Sequence, residues 1–197
     1  MMSIPFRVSS FVVLFGLLLA GACTSHPPTG EFADITFEHL PDIRLDVDDI
    51  EVREDYVPPL APPNVDHLFS PRPGSVAQRW ARDRLVAAGT GRRAVYIVHD
   101  ASIVEERLEM ESGLSGVVTI DQSERYTAHI EVEIQILEVN RQAASLQAEA
   151  TRSITVAEDI SVSEREKVWF QLTEKTMQDL DAELEKTINQ VFAGYLL

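Results

Sequence analysis

The chain has 197 residues, of which 45% are hydrophobic, and this is enough for one folded domain with appendages and excludes a wholly disordered protein. Its formal net charge of −15 excludes nucleic-acid binding, which requires an electropositive surface. The same charge excludes adhesion to an anionic membrane by electrostatics alone.

Residues 1–22 have the pattern of a signal peptide. Arg7 precedes an apolar run from Phe11 to Ala20, which is too short to span a bilayer. Cys23, the only cysteine of the chain, follows in the order Leu-Ala-Gly-Ala-Cys, which resembles a bacterial lipobox. The sequence therefore predicts that Cys23 carries a lipid that anchors the protein to a membrane.

A second interpretation of the same stretch stays open. The Ala-Gly-Ala order is also a cleavage site for ordinary signal peptidase, which would leave a soluble periplasmic protein. Thr24 follows the cysteine instead of aspartate, and this favours the outer membrane, facing the periplasm.

The rest of the chain is interpreted as a tether over 23–42 and a single domain over 43–197. Within the tether, irregularly spaced apolar residues predict a short segment clipped onto the domain, and they include Ile35 and Phe37. Apolar residues then alternate with charged ones from Ile43, and their phase slips near Asp48. This pattern predicts one strand with a β-bulge.

Residues 57–73 contain six prolines and are predicted to be extended and stiff. They are interpreted either as a fixed crossover on the surface or as a ledge for a partner. In both cases Val65, Leu68 and Phe69 are expected to anchor the segment to the domain.

The first helix is predicted to begin at a capping box formed by Ser75 and Gln78 and to end at Gly89. Its predicted buried stripe consists of Val76, Trp80, Ala81, Leu85 and Ala88. Its predicted exposed face is basic and consists of Arg79, Arg82 and Arg84. These arginines are interpreted either as neutralising the acidic first strand or as contacting phosphate head groups.

A second strand is predicted over 93–106, with Val95, Ile97 and Ile103 on one face. The loop 109–121 that follows is unusually apolar. Its candidate contact residues are Leu114, Val117 and Val118. The loop is interpreted either as inserting into a partner or lipid, or as folding back on the sheet edge.

Residues 122–156 predict a long antiparallel hairpin, because two runs alternate apolar and polar residues with a period of two. Matching apolar faces across the pair predicts a three-residue loop at 140–142. That register places Ile136 opposite Leu146. It places Arg152 on the apolar face, opposite Ile130, where we expect it to pair with an acid from a helix or to lie at the sheet rim.

The polar face of this hairpin is predicted to be the partner surface. Its residues are Thr127, His129, Glu131, Glu133, Glu149 and Thr151. In the predicted register Glu133 lies opposite Glu149, and this pair is the one candidate carboxylate dyad. His129 is interpreted as an ordinary surface histidine.

A final long helix is predicted over 163–195, beginning at a capping box of Ser163 and Glu166. Its apolar stripe consists of Val168, Leu172, Thr176, Leu180, Leu184, Ile188, Val191 and Tyr195. At 1.5 Å per residue it would be nearly 50 Å long. We therefore expect a kink or a free end that docks elsewhere.

No catalytic, cofactor-binding or nucleotide-binding motif occurs in the sequence, so an enzyme and a cofactor are not predicted. The acidic run from Asp46 to Glu51 lies along a predicted strand. A calcium loop instead places its ligands on a curved turn with a glycine, so no metal site is predicted.

The predicted order β-α-β-β-β-α indicates an α+β two-layer sandwich, with a largely antiparallel four-stranded sheet and two helices on one face. Together with Cys23, the helix at 75–88, the hairpin and the last helix, it resembles the LptE family of lipopolysaccharide-assembly lipoproteins. It also resembles auxiliary lipoproteins of lipid-transporting ABC systems. The resemblance implies a non-enzymatic protein that docks to a membrane partner, a β-barrel or an ABC transporter. A periplasm-facing structural or ligand-binding lipoprotein is the alternative.

Overall fold

A computed structural model describes residues 32–108, 122–139, 141–157 and 159–197. The strands are β1 (Ile43–Leu45), β2 (Asp49–Glu54), β3 (Leu85–Ala87), β4 (Arg93–Arg107), β5 (Gln122–Glu138) and β6 (Arg141–Ala157). The helices are α1 (Pro73–Arg84) and α2 (Val162–Val191), with short 3₁₀ turns at Asp66–Leu68 and Ala193–Tyr195. Neither α1 nor α2 combines the length and apolarity that crossing a bilayer demands.

The main sheet has the order β2-β4-β5-β6. β2 runs parallel to β4 and the other two pairs are antiparallel, so the predicted α+β class is confirmed and the sheet is mixed. The parallel pair arises because the chain between β2 and β4 contains a helical crossover. A second, two-stranded sheet pairs β1 with β3 in parallel.

The predicted single first strand is wrong, because β1 and β2 belong to different sheets. The backbone N–H of Asp46 donates to the carbonyl of Tyr195 at 2.8 Å, and that of Asp48 donates to the carbonyl of Arg92 at 2.8 Å. The phase slip in the sequence therefore marks a change of partner and not a bulge.

Both helices pack on the inner face of the main sheet. One apolar core joins α1 and α2 to the inward side chains of β5, and Trp80, Met177 and Ile134 are all fully buried in it. The predicted clipping of the segment before β1 is confirmed by Ile35 and Phe37, which are buried in the same core. The packed part of the chain thus includes residues before position 43.

A bulge at His99 changes the face that β4 presents. The pairing with β5 shifts between Val98 and Asp100, so inward positions are even-numbered before the bulge and odd-numbered after it. The prediction that Val95, Ile97 and Ile103 share one face is therefore wrong. Val95 and Ile97 are buried on the opposite side of the sheet from Ile103.

The hairpin has the predicted faces but a different register. Ile134 lies opposite Leu146, and Ile136 lies opposite Ala144. The partner then jumps to Gln142 at the next residue, so a bulge beside the turn restores apolar-to-apolar pairing with a shorter connection than the predicted loop.

For Arg152, the predicted strand partner is wrong and the predicted ion-pair partner is right. It lies opposite Ala128 and not opposite Ile130. Its guanidinium donates two hydrogen bonds to Asp179 of α2, at 2.8 and 2.9 Å. The expected pairing with an acid from a helix is therefore confirmed.

Both predicted ends of α1 are wrong. The helix begins at Pro73, where the missing N–H costs nothing, and no side chain caps it. It ends at Arg84, because Leu85–Ala87 leave the helix to pair with β1. Val76, Trp80 and Ala81 of the predicted stripe are buried.

The arginines of α1 do not neutralise the first strands. Arg79 pairs with Asp34 at 3.1 Å. Arg84 was expected to be exposed, but it is 1% exposed and pairs with Asp181 and Glu185 of α2. Among the described residues, the acids of the region 46–51 pair with two arginines beyond the helix, Arg92 and Arg93.

The proline-rich segment runs along the outer edge of β4 beyond the end of β2. The N–H of Val65 donates to Ile103 at 2.8 Å, and the N–H of Glu105 donates to Pro63 at 2.9 Å. Val65 and Phe69 anchor the segment as predicted, whereas Leu68 is exposed. Both interpretations of its surface remain predictions.

α2 has 30 residues and is about 45 Å long. Its end is not free. Phe192, and not Val191, completes the buried stripe. The N–H of Leu197 donates to the carbonyl of Arg44 at 3.0 Å, so the chain after the helix adds to β1.

The N-terminal cap of α2 is displaced by two residues from the predicted box. The Ser161 hydroxyl accepts from the N–H of Glu164, and the Glu164 carboxylate accepts from the N–H of Ser161. The Ser161 hydroxyl also donates to the Glu164 carboxylate at 2.6 Å, and this bond together with that from the Ser161 N–H lowers the pKa of Glu164.

We expect Ser161→Ala to lower the free energy of unfolding by about 1 kcal/mol, because the first turn of α2 loses its side-chain acceptor. Ser163→Ala, at the position that the sequence favoured, should change it by less than about 0.5 kcal/mol. Chemical denaturation of the two variants measures the difference. Equal effects would contradict the observed cap.

Candidate functional site

The outer face of β5 and β6 is the candidate binding surface. We call it the acidic face, and it consists of Thr127, His129, Glu131, Glu133, Glu149 and Thr151. Alternation along both strands directs these side chains away from α1 and α2, which pack on the inner face. Within the described residues no helix covers it.

The hydroxyl-bearing part of the acidic face is internally paired. His129 lies opposite Thr151, and its Nδ1 is 2.9 Å from the threonine Oγ1. Thr127 lies opposite Ser153, and their hydroxyls are 2.9 Å apart. These hydrogen bonds across the strands hold the side chains in place on a rigid ladder.

The carboxylate pair of the acidic face differs from the predicted one. Glu149 lies opposite Glu131 and not opposite Glu133, which faces Gln147. The predicted dyad is wrong because the hairpin register is displaced by two residues. Like charges directly opposed across two strands destabilise a sheet.

The neighbouring acids each have a partner, whereas this pair has no cationic partner among the described residues. Glu133 bonds to His99, Asp179 to Arg152 and Glu183 to Lys186. In the described parts of the chain, Glu131 and Glu149 have no cation within ion-pair distance. Two opposed carboxylates therefore stand without compensation on an uncovered surface.

Glu133 belongs to a separate hydrogen-bonded group. Its carboxylate oxygens are 2.9 Å from His99 Nε2 and accept from Gln135 Nε2 at 2.9 Å. Burial by itself raises the pKa of Glu133, but these hydrogen bonds outweigh it and the pKa is lowered. The bulge in β4 that exposes His99 to Glu133 thus supports the charged form of the acid.

A cleft of about 520 Å³ lies where the acidic face meets the edge of β6. We call it the edge cleft. Its lining residues are Glu131, Gln147, Ala148, Glu149, Ala150, Asp179 and Glu183. Two of its acids, Asp179 and Glu183, come from α2, and they were not predicted from the sequence as part of the site. Their spacing of four, each one position before a buried leucine, is the signal that places them on the helix flank facing β6.

The described residues also bring one set of metal-ligand groups together. Ligand atoms of His129, Glu131 and Glu149 lie within 4.8 Å of one another. An imidazole and two carboxylates are donors that suit zinc and other divalent cations. The donors lie on an open sheet surface, and one imidazole nitrogen already bonds to Thr151, so water would have to complete any coordination shell.

The contact between Thr151 and His129 joins a hydroxyl to an imidazole, as a hydrolase requires of its nucleophile and base. Hydrolysis also needs a pocket that excludes water and donors that stabilise an oxyanion. Thr151 is exposed and His129 is half-buried on a flat surface. The arrangement fits binding better than catalysis.

A second concavity of about 430 Å³ lies between the segment 32–40 and α2. Its lining is mainly apolar and includes Phe32 and Phe170, whose rings stack at 4.9 Å. Cys23 and the loop residues Leu114, Val117 and Val118 lie outside the described residues. Their proposed roles stay predictions.

The structure is similar to several solved bacterial structures. The likeness to a minor lipoprotein from Acinetobacter baumannii has a TM-score of 0.38 and 12% identity and covers 76% of this chain and 93% of that chain. The likeness to rare lipoprotein B from Shewanella oneidensis has a TM-score of 0.34 and 12% identity, and it covers 70% of this chain and 92% of that chain. The likeness to a putative lipoprotein from Caulobacter crescentus has a TM-score of 0.35 and 9% identity, and it covers 69% of this chain and 85% of that chain. With TM-scores below 0.5, these likenesses assign no function to this chain.

No protein-family model matches the sequence, and no curated protein matches it.

We expect Glu149→Gln to raise the free energy of unfolding by about 0.5 kcal/mol, because it removes one of two opposed charges. The gain should shrink at high salt, where the repulsion is screened. Urea denaturation at low and high ionic strength measures it. Glu38→Gln, a change at an exposed acid outside the acidic face, should be neutral. A destabilised Glu149→Gln variant would show that the carboxylate has a structural partner.

Proposed function

We propose that this protein is a lipid-anchored protein of the bacterial cell envelope that acts by docking to a membrane partner through the acidic face. The observation that carries the proposal is the uncompensated pair of Glu131 and Glu149 on an uncovered sheet. An arrangement that costs folding free energy is kept at functional surfaces, where a partner supplies the missing charge.

The anchor is proposed from the sequence. Cys23 follows a short apolar run and small residues, and acyl chains on its sulfur hold a chain at a bilayer without a membrane-spanning helix. The charge of −15 provides no electrostatic attraction to anionic lipid. Attachment would then depend on the lipid and specificity on the folded domain.

The partner class follows from the resemblance and from charge. An acidic docking surface selects an electropositive patch on its partner and speeds their encounter. The resemblance to the LptE family and to auxiliary lipoproteins of ABC systems favours a β-barrel or a transporter. We propose roles in outer-membrane or lipopolysaccharide assembly, or in lipid transport.

A second function is favoured by the concavity between the segment 32–40 and α2. Its volume of about 430 Å³ and mainly apolar lining suit a small amphipathic ligand. In that case the protein would be a periplasm-facing ligand-binding lipoprotein without a transport role. It would be isolated as a monomer with a bound small molecule.

The anchor is tested by Cys23→Ala in the full chain. We expect the variant to move from the membrane fraction to the soluble fraction, because no sulfur remains to carry the lipid. Ser25→Ala, two residues away, is the matched control and should stay with the membrane. Continued membrane association of the Cys23→Ala variant would refute lipid anchoring through this residue.

Docking is tested by placing a photo-crosslinking amino acid at position 131 or 149 in cells and identifying the products by mass spectrometry. We expect the same envelope membrane protein at both positions. Position 38, an exposed glutamate outside the acidic face, should not yield it. Absence of any membrane protein at 131 and 149, together with a ligand in the purified monomer, would favour the second function instead.

A further inference from the structure

The two edges of the main sheet are protected very differently. At one edge, β2 has six residues, four of them charged, and the proline-rich segment continues the cover along β4. Charge, shortness and a covering loop are ways in which proteins protect a sheet edge. That edge is closed to further strands.

The opposite edge is β6, with 17 residues, three charged side chains and no proline. In the described part of the chain its backbone pairs with β5 alone. α2 lies across its inner face, where Leu146 and Ala148 join the core, and does not pair with its backbone. Alternate residues of β6 therefore direct free N–H and C=O groups outwards.

The edge cleft opens on the middle of this free strand. Ala148 and Ala150 have small side chains and lie between two groups of acids. Glu131 and Glu149 flank the edge on the outer face, and Asp179 and Glu183 flank it on the helix side. Because Arg152 and Lys186 offset only the helix-side acids, the cleft is electronegative.

We propose that β6 is a docking edge, to which a basic extended segment of the partner protein adds as a fifth strand across residues 145–153. The free backbone groups supply the hydrogen bonds, and the four acids of the edge cleft select the charge of the segment. This inference deepens the proposed docking function and rests on it. It commits to a strand of a partner and not to a second copy, since a second β6 would bring its own Glu149 to the same acidic cleft.

The geometry also predicts the pattern of the incoming segment. Successive residues of a strand point to opposite faces. One basic residue would therefore reach Glu131 and Glu149 on the outer face, and the next would reach Asp179 and Glu183 on the helix side. We expect two consecutive lysines or arginines within an otherwise β-prone segment.

The test uses the full folded chain and a labelled nine-residue peptide of alternating threonine and valine around a central lysine–arginine pair. Fluorescence anisotropy gives the dissociation constant, and amide hydrogen exchange locates the contact. We expect saturable binding with new protection of amides within 145–153. Replacing the basic pair with two glutamines should weaken binding about tenfold, as should N-methylation of alternate backbone nitrogens.

The variant Glu149→Gln should weaken peptide binding about threefold and reduce its salt dependence, whereas Glu38→Gln should leave both unchanged. Equal binding of the N-methylated peptide would overturn the proposal, because attraction would then depend on charge alone. The proposal would also be overturned if the protein bound Zn²⁺ saturably through His129 and did not bind the peptide. A dimer in sedimentation that protects the amides of β6 would overturn it as well. If the peptide does not bind at β6 but position 131 still crosslinks to a membrane protein, the proposed docking function is supported and strand addition is refuted.

Discussion

Replacing Arg84 with alanine is expected to lower the free energy of unfolding by about 3 kcal/mol. The arginine is 1% exposed and donates to the carbonyl of Pro41. Its Nε lies 3.2 Å from Asp181 without hydrogen-bond alignment, and one terminal nitrogen donates to Glu185 at 3.3 Å. Removing one partner from a buried ionic cluster leaves the other groups uncompensated.

The loss should be smaller than for a fully buried pair, because Glu185 is more than half exposed and water can solvate it. Asp181 is the acid most affected, because it is largely buried and would lose the positive charge of Arg84. It also accepts from Trp80 Nε1 at 2.6 Å, so the cluster ties α1 to α2.

Thermal and urea denaturation of Arg84→Ala measure the effect. Arg82→Ala is the matched control, since Arg82 is exposed and bonds only to Gln78 among the described residues. It should change the stability by less than about 0.5 kcal/mol. Equal losses for the two variants would show that Arg84 contributes no more than an ordinary helical surface residue.

The second large effect is expected at Gly89, where alanine should cost about 3 kcal/mol. A Cβ there would lie 2.6 Å from both the Cα and the carbonyl carbon of Asp46. The neighbour is backbone and cannot rotate away, so the two chain segments must separate. That separation would also strain the hydrogen bond from the N–H of Gly89 to Val47, 2.9 Å long.

Gly194→Ala is the control for this prediction, because a Cβ at that position meets no atom within 4 Å. Its effect should stay within about 0.5 kcal/mol. Denaturation midpoints of the two variants, measured side by side, decide the matter. A Gly89→Ala variant as stable as the parent protein would contradict the prediction, because it would show that the backbone at Asp46 and Gly89 can separate at little cost.

The hairpin shows how far a local pattern predicts the candidate site. Alternation assigned His129, Glu131 and Glu149 to one face correctly, because the side of a strand depends only on position parity. It could not predict which glutamates are opposed. That depends on the short connection after Glu138 and on a bulge at Ala143, which together displace the register by two residues from the predicted one and so keep the parity.

The region from α1 to β3 shows the opposite case. The spacing of Val76, Trp80 and Ala81 predicted the buried stripe, since it is a property of the helix itself. The end of the helix was mispredicted, because Leu85–Ala87 gain a strand partner in β1 that lies about forty residues away. A residue that could continue a helix instead satisfies its backbone in a sheet.

The α+β class, the two long strands, the long last helix and the candidate acidic face could all be predicted before the structure was known, since each follows from a repeating apolar period. The pairing between elements came from the tertiary fold. It paired β2 in parallel with β4, buried Arg84 against α2, joined Asp179 and Glu183 to the edge cleft and, among the described residues, left β6 with β5 as its single strand partner. The physical reason is that periodicity reports which side of an element is apolar, whereas a hydrogen bond or ion pair between distant segments depends on where the whole chain places them.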